Sequence, residues 1–178
     1  LQSAREAGAT DGVALVSLIL GLSHARLDEY QTALTYYEAA LEAAQTIGDR
    51  DIEATALNNI GTIYDRLSQY DKALDYYNRA LPILRDTENR AIEATTLANI
   101  GKIYENRGNY SEALDRYNQA LSIRQDIGDR KGEGKMFVSI GRIYSYRSHY
   151  REALDYYNRA LPILREADDL ATTIAAQN

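Results

Sequence analysis

The sequence predicts an all-α protein built as an array of antiparallel helix hairpins, and three observations lead there. Residue types recur every 40 positions, each repeat carries two stripes of apolar residues at helical spacing, and only two prolines occur in 178 residues. Gly21, Gly61, Gly101 and Gly141 share one register, as do Tyr30, Tyr70, Tyr110 and Tyr150. The series Ala33 to Ala153, Tyr37 to Tyr157 and Ala40 to Ala160 keep the same spacing. A period of this length marks one supersecondary unit stacked on copies of itself.

Within the second repeat, Ala54, Leu57, Ile60, Gly61 and Tyr64 are spaced by three and four, the stripe of an amphipathic helix. After a short turn (Leu67, Ser68, Gln69), a second stripe runs through Tyr70, Ala73, Leu74, Tyr77, Ala80, Leu81 and Leu84. The stripes mirror each other about residue 67, which pairs Gly61 with Ala73 and Leu57 with Tyr77. Glycine inside a helix costs about 1 kcal/mol relative to alanine, so four in register need a packing reason. Close approach to the facing alanine is the expected one.

Between repeats, Gly48 and Gly128 suit the left-handed residue after a helix. Asp49, Asn89 and Asp129 follow in register as expected N-caps. Pro82 and Pro162 fall inside second helices, where the missing amide predicts a bend or an early loosening. The resulting layout is residues 1–8 as the tail of a preceding second helix, repeats at 9–48, 49–88, 89–128 and 129–168, and 169–178 as the start of a fifth first helix. On that layout the chain is expected to be cut from a longer array.

Composition narrows the function. The hydrophobic fraction of 45% and charged fraction of 26% suit a folded chain. The net charge of −6 argues against a general nucleic-acid binder. Cysteine is absent, which removes disulfides, thiolate metal sites and cysteine nucleophiles. The longest apolar run, Val13 to Leu22, is shorter than the about 20 residues a bilayer span needs. His24 falls in a packing position and His149 in a turn, with no carboxylate cluster at metal-ligand spacing around either. No glycine-rich phosphate loop or catalytic triad is legible. The expectation is therefore no catalysis, no metal, no cofactor, no nucleic acid and no membrane.

The repeat resembles the tetratricopeptide repeat. Leu57, Ile60-Gly61, Tyr64, Tyr70, Ala73, Tyr77 and Ala80 match the pattern of that family, with Leu in place of the usual Trp. Leu97 and Phe137 take the first position in repeats three and four, while repeat one departs with Ser17 and His24. The unit of 40 residues is longer than the standard one, and Arg85 stands where the standard unit has its proline. In this it is similar to kinesin-light-chain-type repeats and to bacterial signalling arrays. The resemblance implies a right-handed superhelical solenoid, a cytoplasmic setting and a protein-interaction scaffold whose first helices line a concave groove.

Carried onto this chain, the groove positions are Thr55, Asn58, Asn59, Thr62 and Arg66 in repeat two. Repeat three offers Thr95, Ala98, Asn99, Lys102 and Asn106; repeat four offers Lys135, Val138, Ser139, Arg142 and Tyr146. A side-chain amide both donates and accepts, so Asn59 and Asn99 would hold a peptide backbone without reading its sequence. The bland alternative is bonding to nearby backbone or water. Lys102, Lys135 and Arg142 would add positive charge for an acidic peptide, unless Asp65 and Glu105 neutralise it or the surface is simply solvated.

Leu15, Leu18 and Leu22 form an apolar strip that would contact a partner or, as the favoured reading, pack on upstream repeats. Two further readings of function stay open. One is a structural spacer self-associating through its array ends; the other is the regulatory arm of an enzyme whose catalytic domain lies elsewhere.

Overall fold

The computed structural model describes the backbone of residues 2–176 and the side chains of residues 12–167. Eight helices and no strand are present among the described residues: α1 (Gln2–Arg26), α2 (Tyr30–Ile47), α3 (Arg50–Arg66), α4 (Tyr70–Asp86), α5 (Arg90–Asn106), α6 (Tyr110–Asp126), α7 (Arg130–Tyr146) and α8 (Tyr150–Ala176). They fall into two compact units, one ending at Thr96 and one starting at Leu97, so α5 contributes its first part to one and the remainder to the other. In the first unit α1 pairs with α2 and α3 with α4, and α2 lies against α3. In the second, α7 pairs with α8 and α6 lies against α7.

The same turn recurs at all seven junctions. Asp28, Gly48, Ser68, Glu88, Gly108, Gly128 and Ser148 all have positive φ, one every 20 residues. In each case the next amide reaches back to a carbonyl five residues earlier, as Gln69 does to Tyr64 at 2.8 Å and Asp129 to Arg124 at 2.8 Å. This closes the end of the helix and satisfies its last carbonyls. Gly48 and Gly128 adopt the left-handed conformation that their sequence positions predict. The capping residues also act as expected: Asp49 accepts from the Ile52 amide at 2.9 Å, Asp129 from Gly132 at 2.8 Å and Asn89 from Ile92 at 3.5 Å.

Three expectations need correction. The in-register glycines do not primarily face alanines. A Cβ on Gly61 would lie 2.8 Å from the Tyr77 ring, one on Gly101 2.8 Å from Tyr117, and one on Gly21 2.5 Å from Tyr37. Gly141, beside Tyr157, also approaches the alanine, at 3.2 Å from the Ala153 carbonyl oxygen.

Tyr64 likewise stacks on Tyr76, with centroids 5.5 Å apart. The hairpin is therefore centred near residues 69 and 70. Side chains lean toward the N-terminus of their own helix. In α4 that direction is toward the turn, which carries the Tyr77 ring past Leu57 to Gly61.

Second, Pro82 does not end its helix early: α4 has the same 17 residues as α6, which lacks proline. Third, α1 is one helix through residue 8 and α8 one helix through residue 168, so no turn forms at either outer boundary. Side chains of 1–11 and 168–178 lie outside the described residues.

The core is aromatic and aliphatic in alternation. Tyr37, Tyr77 and Tyr117 are almost fully buried, each among small residues such as Ala33, Ala73 and Ala113. In the first unit, Ile60 and Ile63 close on Tyr37, while Leu57, Ala80 and Leu84 form a second cluster.

Candidate functional site

Each unit has its own cavity on the side of the first helices. In the second unit a cavity of about 440 Å³ lies between α5 and α7. Asn99 and Lys102 come from α5, and Lys135, Ser139 and Arg142 from α7. These five are spaced by three or four within their helices, so one face of each helix delivers them together. Met136, Val138 and Leu164 supply apolar wall. Asn99 and Ser139 are half-buried, whereas Lys102 and Lys135 are exposed at the rim.

A polar network at this cavity joins α5, α6 and α7. Glu105, 9% exposed, accepts from the Tyr117 hydroxyl at 2.6 Å. It also accepts from Arg142 Nη2 at 2.9 Å, while Arg142 Nε reaches its other oxygen. Burial first, and then the neighbouring Glu105 carboxylate, drive the Tyr117 hydroxyl far above the ordinary phenol range. The Glu105 hydrogen bond likewise holds the Arg142 guanidinium fully charged. Arg142 thus lines the cavity with its charge already matched by Glu105.

In the first unit a smaller cavity, of about 200 Å³, is lined by Asn59, Thr62 and Arg66 of α3, with Leu22 and Arg26 of α1 and Tyr37 of α2. Thr62 accepts from the Tyr77 hydroxyl at 3.2 Å and donates to the Asn58 carbonyl at 3.0 Å. Burial raises the Tyr37 phenol, and the charges of Arg26 and Arg66 act against it. The Arg66 guanidinium is held further up by Tyr30, with Asp28 at 3.9 Å.

Sequence positions sort clearly against this geometry. Asn58 is not a groove residue: it is 7% exposed, and its side-chain oxygen accepts from Thr96 at 2.9 Å, tying α3 to the start of α5. A buried amide needs such a partner. Thr55 and Thr95 donate to carbonyls four residues back on their own helices. Asn106 and Tyr146 lie outside the lining of the second cavity, and Tyr146 stacks on Tyr110 with centroids 5.8 Å apart.

Of the leucine strip, Leu15 and Leu22 are exposed, whereas Leu18 packs on the Tyr37 cluster. Val13, Val16 and Ile19 are also exposed on α1 and were not singled out by sequence. Arg26 was missed as well. It lies at the same register position as Arg66, which is the signal that would have found it.

His24 stacks on Tyr36 at 5.2 Å and pairs with Glu29; His149 tilts against Tyr144. No cluster of histidine and acidic residues fit for a metal exists among the described residues. No helix among them is long and apolar enough to cross a membrane.

Antiparallel paired helices, a glycine against a tyrosine ring in every hairpin and a left-handed turn every 20 residues define a helical-repeat protein. The family is the tetratricopeptide repeat, whose description matches residues 12–86 and 89–166, and the chain belongs to it. A comparison with curated protein sequences finds no significant match.

Solved structures agree on the fold. BtubC (BKLC) from P. vanneervenii is 25% identical, with a TM-score of 0.80 over 90% of this chain and 66% of that one. The apo form of RapI is 17% identical, with a TM-score of 0.82 over 89% of this chain and 58% of that one. A Rap protein crystallised in complex with Competence and Sporulation Factor is 18% identical, with a TM-score of 0.79 over 90% and 45%. The chain therefore spans between about half and two thirds of the length of these three proteins.

Proposed function

We propose that the chain is a non-catalytic scaffold that binds a peptide or a segment of a partner protein along the first-helix faces of its two units. The observation that carries this reading is the placement of Asn59 and Asn99. Each lies 40 residues from the other, is half-buried and lines a cavity of its own unit. Half-buried amides with both donor and acceptor suit an extended backbone, which offers the complementary groups at every residue. Arg26 and Arg66 in one cavity, and Lys102 and Lys135 in the other, favour acidic side chains on that ligand. One structural neighbour, a Rap protein, is solved in complex with Competence and Sporulation Factor, which is consistent with the reading.

The test is a peptide array probed with the chain, repeated with Asn59→Ala, Asn99→Ala and the double variant. Each lost amide should weaken binding by roughly 3- to 10-fold, the equivalent of about 0.5–1.5 kcal/mol per hydrogen bond. Helical signal and melting temperature should not change. Equal binding by the double variant would remove the groove from the account.

A further inference from the structure

Three tyrosines buried in the second helices end differently. The Tyr77 hydroxyl donates to Thr62, fifteen residues back, and the Tyr117 hydroxyl to Glu105, twelve back. The same two positions before Tyr37 hold Leu22 and Ala25, and neither side chain can accept a hydrogen bond. Tyr37 is nonetheless only 2% exposed. A buried hydroxyl needs a partner, and its own repeat supplies none at either position.

What surrounds that hydroxyl is a set of donors. Tyr37, Arg26, Arg66 and Asn59 line one cavity of about 200 Å³. It lies between two successive first helices of the chain, whose last residues are Arg26 and Arg66. Each guanidinium carries five N–H donors and no acceptor. Asn59 accepts from Asn58 at 3.4 Å through its oxygen, which leaves its NH2 group to donate. Burial raises the Tyr37 phenol, so the hydroxyl keeps the proton it would give.

The carboxylates that act on Arg66 are Asp28 and Asp65, and neither lines the cavity. Arg66 is also bonded to Tyr30. Asp28 is 3.9 Å away, with the two side chains 73% and 54% exposed, so that pairing contributes little and yields to a closer anion. Arg142 in the other unit is the contrast, since the buried Glu105 holds it through two bonds.

We propose that this cavity is a phosphoryl site, which takes a phosphorylated side chain of the partner segment. The proposal rests on the groove reading above and names the side chain that the first unit selects. A phosphomonoester carries about −1.5 to −2 charges at neutral pH and three acceptor oxygens. Two guanidiniums match that charge, and donors from α1, α2 and α3 converge on the oxygens. A carboxylate, with one charge and two oxygens, would leave an arginine and the phenol unmatched.

The test is a peptide array in which each sequence is made with serine, phosphoserine or aspartate at its central position, probed with the whole chain. Bound sequences should prefer phosphoserine over aspartate by about tenfold. Arg26→Gln and Arg66→Gln should each weaken the phosphoserine form about tenfold more than the serine form. Tyr37→Phe keeps the ring over Gly21 and should weaken the phosphoserine form about threefold without lowering the melting temperature. Inorganic phosphate should compete only weakly.

Four results would overturn the proposal. Peptides that need Asn59 and Asn99 but bind equally with aspartate and phosphoserine would remove the phosphoryl site and leave the groove reading standing. A phosphoserine preference that survives both arginine changes would place the phosphoryl group elsewhere. Inorganic phosphate binding as tightly as the best phosphopeptide would give the cavity to a free anion. An array on which no form binds would remove the groove and the phosphoryl site together.

Discussion

In the hairpin of α3 and α4, the Tyr77 hydroxyl donates to Thr62, a neutral partner on the edge of a small cavity. In the second unit its counterpart Tyr117 donates to Glu105, which also grips Arg142 beside a cavity twice the size. The buried ring and the glycine it covers are the same in both places. The partner of the hydroxyl changes with the residues at two register positions: Thr62 and Asp65 in one repeat, Lys102 and Glu105 in the next, Arg142 and Ser145 in the last. The repeat thus keeps its packing constant and varies the chemistry its groove shows. A charged network fixes three helices together in the second unit, with Arg142 committed to Glu105.

The largest difference should come from breaking the two networks. Glu105→Ala leaves a phenol and a half-buried guanidinium without their acceptor and should cost about 3 kcal/mol. Thr62→Val should cost about 1 kcal/mol. Chemical denaturation of both variants measures this, and equal losses would show that the charged network adds nothing.

Next come the glycines, where the two units should agree. Gly61→Ala and Gly101→Ala each force a Cβ to 2.8 Å from a tyrosine ring, and each should cost about 2 kcal/mol. Asn58→Ala, which removes the bond from Thr96 to α3 and leaves that hydroxyl the Ile92 carbonyl on its own helix, should cost about 1 kcal/mol and register by hydrogen exchange as faster opening of α3.

The smallest effects concern turns and caps. Ser68→Gly should stabilise by up to about 1 kcal/mol and Gly108→Ser should do the reverse, because both positions have positive φ. Burial would raise the Asp129 carboxyl, but the Gly132 amide and Arg124 outweigh it and hold the group below the ordinary carboxylate range. Its contribution is therefore complete above about pH 4. It is lost as pH falls through the lowered folded value. Asp129→Asn should keep the cap and flatten that part of the acid unfolding curve.

The fold was legible because each repeat states it again: periodic tyrosines, glycines and apolar stripes fix helix, turn and partner without reference to distant contacts. The register within a hairpin was not, since counting residues from a turn ignores the lean of side chains along a helix. That is why the Tyr77 ring covers Gly61. Left-handed turns at Asp28, Ser68, Glu88 and Ser148 were also hidden, because only glycine announces that conformation in a sequence.

Of the positions carried over from the family resemblance, Asn59, Asn99, Lys102, Lys135 and Ser139 line cavities. Helical spacing could not separate Asn58 from Asn59, because adjacent positions differ by a rotation that only packing against α5 resolves. Nor could spacing show that Arg142 is committed to Glu105, a contact between residues 37 apart in the chain.

The central claim is that partners bind on the first-helix faces. The most direct test is the amide chemical-shift footprint of an array-selected peptide on the isotopically labelled chain. The account predicts shifts centred on Asn59 and Thr62 in the first unit and on Asn99 and Ser139 in the second, with α4 and α6 little changed. A footprint confined to the second helices, or none at saturating peptide, would contradict it.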